Sequence, residues 1–323
     1  MQQQHTKHKV LNWGEYNKAL IHRGSMTLWL SDNLVNTWKH TACQHKRGKP
    51  FTYSDERVTV CLTARHLYRL SYRATQGFMR SLFSQLNVDI PVPSYCQLCR
   101  RAAAMSPWLK RIGHHKGPID IVVDSTGLKV FGEGEWKVRK HGADKRRTGR
   151  KLPLGVDPID HEVVACELTE NSQSDDHTFE PLLDQIEDSV ERCFADGAYD
   201  TAHIYQCCYD RKAELITPPC TNAVAQSEPT PALALLDAAI RRISEWTDEY
   251  EGDRDAARKR WKYERDYHCR CVAETAMFRF KSWFSGTLQS RKIATQKTEI
   301  MIRINLMNRM TALGMPVSEV IYL

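Results

Sequence analysis

The chain is 323 residues long, 41% hydrophobic and 26% charged, with a formal net charge of +7. That length supports one large or two moderate domains with a real core, and the composition excludes a disordered or fibrous chain. No apolar run approaches the ~18 residues of a membrane span, and the opening MQQQHTKHK lacks the apolar stretch of a signal peptide, so a cytoplasmic protein is expected.

The eleven cysteines are expected to be reduced. Cys96 and Cys99 form a lone CxxC, with no second pair at zinc spacing. Cys207 with Cys208, and Cys269 with Cys271, read as small apolar residues on helices. The charge is segregated. Residues 1–116 carry 18 Lys+Arg against 5 Asp+Glu, whereas residues 117–323 carry 28 against 34. A basic first third joined to an acidic remainder points to a polyanion-binding segment beside a cation-binding one, with nucleic acid as the polyanion.

Residues 54–86 predict two helices. Ser54 caps the first, Val58, Cys61, Leu62 and Leu67 follow at helical spacing, and a break is expected near Arg73 and Ala74. The second carries Gly77, Phe78, Leu82 and Phe83. Pro91 and Pro93 end it, and Ser94 caps a third helix, Tyr95 to Met105. Short helices with basic outer faces suit a helix-turn-helix type of DNA module centred on residues 65–101; an ordinary helical bundle is the other reading.

Gly117 and Pro118 mark a boundary, giving a basic, mainly helical DNA-binding region over 1–116 and a catalytic domain over 117–323. The run IDIVVDSTGLKVFG predicts a buried strand with Asp124 at its end. Further strands are expected at Glu135 to Lys140, Leu152 to Val156, Val163 to Leu168, Arg192 to Ala195 and Ala213 to Thr217. Helices are expected over Phe179 to Ile186 and Ala202 to Lys212, then over 232–250, 255–285 and 290–312, with a loop from Thr221 to Pro231. Strands first, then alternating helix and strand, then long helices is the order of an RNase-H-like α/β domain: a mixed five-stranded sheet with helices on both faces.

The stretch YHCRCVAETAMFRFK places Tyr267, Arg270, Glu274 and Lys281 within a sector of roughly 60° on a helix, with Val272, Ala276, Phe280 and Trp283 opposite. A solvated face with intrahelical ion pairs is the plainer reading of such a stripe. The topology argues for more: Asp124 and Asp196 follow strands, and Glu274 sits on a late helix. Three clustered carboxylates repel one another unless cations or protons neutralise them. Their use is to hold hard divalent cations, two Mg²⁺ or Mn²⁺ about 4 Å apart flanking a phosphate. Asp124 is the natural bridging ligand, with Asp196 and Glu274 completing one metal each. For either aspartate alone, a turn-capping role is the competing reading.

Four stretches together resemble the DDE transposases of bacterial insertion sequences, of the IS-five type: YNKALIHRGS, VDSTGLKVFGEGEWKVRKHG around Asp124, FADGAYDT around Asp196, and Tyr267-x2-Arg270-x3-Glu274-x6-Lys281. The resemblance runs along nearly the whole chain. It implies an RNase-H-like catalytic domain with Asp124, Asp196 and Glu274 as catalytic and metal-binding residues, and Mg²⁺ dependence. It implies binding to double-stranded DNA, both the terminal inverted repeats and a target, with cleavage followed by strand transfer. It also implies a nucleoid-associated bacterial enzyme without a membrane partner, acting as a homodimer or higher assembly in synapsis. In that setting Arg270 and Lys281 contact DNA phosphate, and Tyr267 stacks or hydrogen-bonds beside them. The run from Lys137 to Lys151, with eight Lys/Arg including Lys137, Arg139, Lys140, Arg146 and Arg147, reads as a DNA-facing hairpin; a solvated loop is its alternative.

Gly149 and Pro153 depart from the family pattern, which has an aromatic and a histidine there. The rival functions are a catalytically inactive DNA-end-binding regulator descended from a transposase, a plain RNase-H-like nuclease, and an acidic-basic scaffold with no catalytic role. His177, after Asp175 and Asp176, reads as part of a surface capping cluster, with assistance at the site as the other reading, and Trp283 and Phe284 read as core rather than base-stacking.

Overall fold

The computed structural model describes residues 6–30, 53–113, 117–130 and 149–322. The expected strand at Glu135 to Lys140 and the basic residues Lys137, Arg139, Lys140, Arg146 and Arg147 lie outside the described residues. The chain divides into two compact units: Met1–Ile112 together with Lys292–Leu323, and Gly113–Arg291.

In chain order, the first unit opens with β1 (Thr6–Val10), α1 (Trp13–His22), α2 (Asp55–Leu67), α3 (Tyr72–Gln85) and α4 (Tyr95–Ala104). Serine hydroxyls start the last three helices. Ser54, Ser71 and Ser94 accept from the backbone amides of Arg57, Ala74 and Gln97, and the Gln97 side chain closes a capping box on Ser94. The break between the first two of these helices therefore falls before Ser71, where Arg69 takes a left-handed φ of 52°, rather than at Arg73 and Ala74. Val58, Leu62, Met79, Phe83 and Leu98 fill the core among them.

The second unit contains β2 (Ile119–Val130), β3 (Gly149–Val156), β4 (Val163–Cys166), β5 (Thr169–Glu170), α5 (Asp176–Leu183), β6 (Val190–Phe194), α6 (Ala202–Asp210), β7 (Glu214–Ile216), α7 (Ala234–Glu249), α8 (Arg254–Glu264), α9 (Cys271–Phe284) and β8 (Thr287–Leu288). The chain then rejoins the first unit with α10 (Ile293–Ala312) and β9 (Ser318–Tyr322), which pairs antiparallel with β1. The last long helix thus departs from the expected division at 116/117. Its apolar and polar sides alike are buried, and it packs on α2 and α4.

The main sheet has the order β4-β3-β2-β6-β7, with β5 pairing β3 and β8 pairing β2. Pairing is antiparallel from β2 to β4 and parallel from β2 to β7. This is the mixed α/β, RNase-H-like arrangement that the sequence predicts.

Alternation along β2 sorts its two faces. Ile119, Ile121 and Val123 join Phe179, Leu183, Ile204 and Cys208 of α5 and α6 in one core. Asp120, Val122 and Asp124 point the other way, to the side where α9 packs with Ala273, Ala276 and Phe280 fully buried. Burying a phenylalanine such as Phe280 contributes about 2–3 kcal/mol. Cys207 and Cys208 are buried in α6 as expected, whereas Cys271 is exposed. Among the described residues no helix is long and apolar enough to cross a membrane.

Pro153 explains an interruption at the sheet edge. Leu154 pairs with Cys166 and Lys151 with Thr169 in one continuous register. Opposite Glu167 stands Pro153, which accepts from the Glu167 amide at 3.2 Å but has no N–H to return. The ladder loses a rung there and the edge strand splits into β4 and β5. Gly149 is not demanded by the backbone, since a Cβ would meet nothing nearer than the Leu128 carbonyl at 3.6 Å.

Candidate active site

Asp124 lies inside β2, opposite Leu154 of β3, rather than at a strand end. The strand runs on to Val130 because β3 and β8 continue to pair with it. Its carboxylate accepts from the Ser125 amide at 2.8 Å. Asp196 follows β6 and caps a 3-10 turn, Gly197–Tyr199, accepting from the Ala198 amide at 2.9 Å. Val122 pairs with Phe194 in the parallel β2–β6 register, so two residues further on the two aspartates leave neighbouring strands side by side. Glu274 stands in the first turn of α9, where the helix dipole favours a carboxylate.

The expected continuous helix over 255–285 is broken. Asp266 adopts a left-handed φ of 53°, and Tyr267–Arg270 form a separate 3-10 turn before α9 begins. Aspartate is among the few non-glycine residues that accept this conformation readily. Tyr267 and Arg270 therefore do not share one helical stripe with Glu274 and Lys281. The turn brings the first two to the carboxylates instead.

Arg270 joins two of the three acids. Its Nη1 donates to Glu274 Oε1 at 2.6 Å and its Nη2 to Asp124 Oδ2 at 3.1 Å. Burial pushes the Asp124 carboxyl above the usual carboxylate range; the Ser125 amide and Arg270 oppose this, and the charges of Asp196 and Glu274 add to it. Tyr267 feels the same three acids. Burial raises its phenol, Arg270 opposes, and Asp196, Asp124 and Glu274 push further, up to about 12. It is a neutral hydrogen-bond donor at any physiological pH. Lys281 is exposed, two turns beyond Glu274 on α9.

Two supports behind the site escape a reading of the sequence. Asp120 and Arg192 pair across β2 and β6, and Arg192 Nη1 reaches Asp266 Oδ2 at 3.4 Å, tying the sheet to the start of the Tyr267–Arg270 turn. The visible signal is Asp120 within the strand IDIVV and Arg192 within the strand VERCF. The second support is Asp175. Lys151 Nζ lies 2.6 Å from its carboxylate, and the buried Tyr199 hydroxyl donates to it at 3.4 Å. Asp176 takes Thr201 and His203 at 3.0 and 3.2 Å. These acids brace the loop that presents Asp196 rather than forming a surface capping cluster, and His177 is exposed beside them. Phe284 is core at 1% exposure and Trp283 packs edge-on against it.

Among the described residues no group of three or more His, Cys, Asp or Glu is gathered tightly enough to hold a metal ion. Asp124 and Glu274 are instead joined through the guanidinium of Arg270. The donor set nevertheless fits a hard divalent cation: three carboxylates with only oxygen donors, the charges of Asp196 and Glu274 adding to the upward shift of Asp124.

A mixed sheet of this order, with acids from two neighbouring strands and a late helix converging on one face, defines the RNase-H-like class of nucleic-acid-processing enzymes. A family model described as "Transposase DDE domain" matches residues 115–309, and a second with the same description matches 21–133. The chain belongs to the DDE transposase family, whose members are DNA transposases. Among solved structures, the piggyBac transposase synaptic complex with hairpin DNA is 10% identical, covers 91% of this chain and 75% of that one, and has a TM-score of 0.41. The Mos1 strand transfer complex is 11% identical over 71% of this chain and 81% of that one, at a TM-score of 0.21. The catalytic core of BIV integrase is 13% identical over 44% and 80%, at 0.22. Likeness at that level adds nothing to the family match.

Proposed function

We propose that this transposase binds the terminal inverted repeats of an insertion sequence of the IS-five type and carries out DNA cleavage and strand transfer at Asp124, Asp196 and Glu274. The observation that carries the reading is that Asp124 and Glu274 share the Arg270 guanidinium while Asp196 leaves the strand beside Asp124. Asp124, Asp196 and Glu274 would hold two Mg²⁺ or Mn²⁺ ions, which would supply an activated water or 3′-hydroxyl and stabilise the leaving oxygen. Arg270 and Lys281 carry the positive charge that orients DNA phosphates, and Tyr267 donates a hydrogen bond beside them. The basic run that includes Lys137, Arg139, Lys140, Arg146 and Arg147 extends the DNA contact, the helical region over 1–116 reads the repeat, and two or more copies assemble to hold two ends.

All three acids are retained, which favours the enzyme over an inactive end-binding descendant. The test is Mg²⁺-dependent nicking and joining of a duplex carrying the element's terminal repeat, wild type against Glu274→Gln. Joining lost in the variant with DNA binding kept supports the reading. A wild type that binds ends but neither nicks nor joins hands it to the regulator.

A further inference from the structure

We propose that Arg270 is an internal counter-cation that clamps Asp124 to Glu274 in the DNA-free enzyme, and that it hands both carboxylates to divalent cations only when a DNA phosphate takes its guanidinium. The proposal rests on the reading of Asp124, Asp196 and Glu274 as metal ligands.

Its basis is the geometry of one side chain. Arg270 grips Glu274 at 2.6 Å and Asp124 at 3.1 Å from separate nitrogens. An arginine cannot shed its charge in a protein, so it cannot make way for a dication by deprotonating. A guanidinium and a divalent ion on the same pair of carboxylates repel one another. The arginine must therefore move for a metal to load.

Two further features favour movement. The Glu274 side chain is 59% exposed, so that half of the clamp is solvent-screened and weak. The third nitrogen, Arg270 Nε, is buried and has no hydrogen-bond partner among the described residues. The carboxylates thus leave the guanidinium incompletely satisfied, whereas a phosphate can engage its planar edge through two parallel N–H···O bonds. The position on a short turn just before α9 lets the side chain re-aim without disturbing the helix.

The consequence is a thermodynamic linkage. If DNA draws Arg270 away, DNA must raise the affinity for metal, and metal must raise the affinity for DNA by the same factor. An enzyme wired this way keeps its ions poorly bound until a DNA end is in place, which guards against unproductive hydrolysis.

The test measures Mn²⁺ binding by electron paramagnetic resonance on the full chain, with and without a pre-cleaved terminal-repeat duplex ending in a 3′-dideoxynucleotide that cannot be joined. Wild type is expected to bind Mn²⁺ weakly alone and roughly tenfold more tightly with the duplex, within the usual range of coupling. Arg270→Gln, which removes the charge, is expected to bind Mn²⁺ roughly tenfold more tightly than wild type without DNA and to gain little from DNA. Arg270→Lys, which keeps the charge but cannot fork, falls between them. A glutamine variant that binds Mn²⁺ no better than wild type, or that gains as much from DNA, overturns the clamp and indicates that Arg270 merely holds the acids in place. Asp124→Asn separates the two ideas. Undiminished Mn²⁺ binding in that variant overturns the metal-ligand reading itself, and the clamp with it.

Discussion

Arg192 holds Asp120 across the parallel β2–β6 pair, with Nε 3.1 Å from both carboxylate oxygens and Nη2 2.5 Å from one of them. The guanidinium has one nitrogen to spare, and it lies 3.4 Å from Asp266. These acids hold the Arg192 guanidinium well above its ordinary pKa, the Asp120 hydrogen bond first among the causes. A fork that fixes two strands also fixes the left-handed residue from which the Tyr267–Arg270 turn departs.

Replacing Arg192 by lysine tests this brace. An ammonium keeps a charge beside Asp120 but cannot hold a bidentate grip while reaching a second acid. The fold is expected to survive. Tyr267, Arg270 and Glu274 are expected to drift relative to Asp124, and a shift on the order of 1 Å can cost about a hundredfold in rate. Single-turnover strand joining is expected to fall by about tenfold or more, with duplex affinity in a filter-binding assay nearly unchanged. Wild-type joining in Arg192→Lys would show that the contact is ornamental.

A pH effect is expected from the turn between β3 and β4. His161 has a left-handed φ of 55°, and its carbonyl accepts from Arg279 of α9 at 3.0 Å. Burial lowers its imidazole below the ordinary 6.5; Arg279 lowers it further, against Asp157 and Asp160. A histidine depressed in the folded state contributes stability above its ordinary pKa and loses it as pH falls, because the unfolded chain then takes up a proton that the folded chain refuses. His161→Asn keeps a residue tolerant of positive φ and removes the titration. Thermal melts of the two proteins from pH 8 to pH 5 should diverge: wild type loses stability below about pH 6.5 and the variant loses less. Parallel melting curves over that range would remove His161 from the account.

Much of the catalytic unit is legible in the sequence because its signals are local. The apolar β-branched run IDIVV, the strand before FADGAYD and the serine-capped helices each declare themselves within a few residues. The three acids stand out as polar residues attached to such elements. What stays hidden depends on pairing. The extension of β2 past Asp124 is set by β3 and β8, and the split between β4 and β5 by a proline that lies opposite Glu167 only once the strands are aligned. The break at Asp266 is invisible to periodicity, since helical phase carries straight across it. The same holds for Arg270: its spacing from Glu274 suggests a stripe, but its bond to Asp124 spans 146 positions of sequence. The last helix offers a similar lesson, since hydrophobic content along α10 says that it is buried but not which helices bury it.

That helix carries a buried ion pair whose cost is measurable. Arg303 and Glu299 stand one turn apart on α10 and bond to each other, their side chains 1% and 0% exposed. Burial lowers the Arg303 guanidinium, Glu299 offsets this, and Arg65 and Arg69 press in the same direction as burial. Glu299 thus offsets the burial of a third arginine in this part of the first unit. Glu299→Gln preserves shape and removes that charge, leaving a buried guanidinium with weakened compensation, a change that typically costs about 3 kcal/mol. Urea denaturation followed by tryptophan fluorescence should show a midpoint lowered accordingly. Replacing both residues by leucine or methionine should recover most of the loss, since an apolar pair of similar volume avoids the desolvation of two charges. If Glu299→Gln alone left the midpoint unmoved, Arg303 would have to be neutralised by other groups around α10, and the pair would not be what holds this helix in its unit.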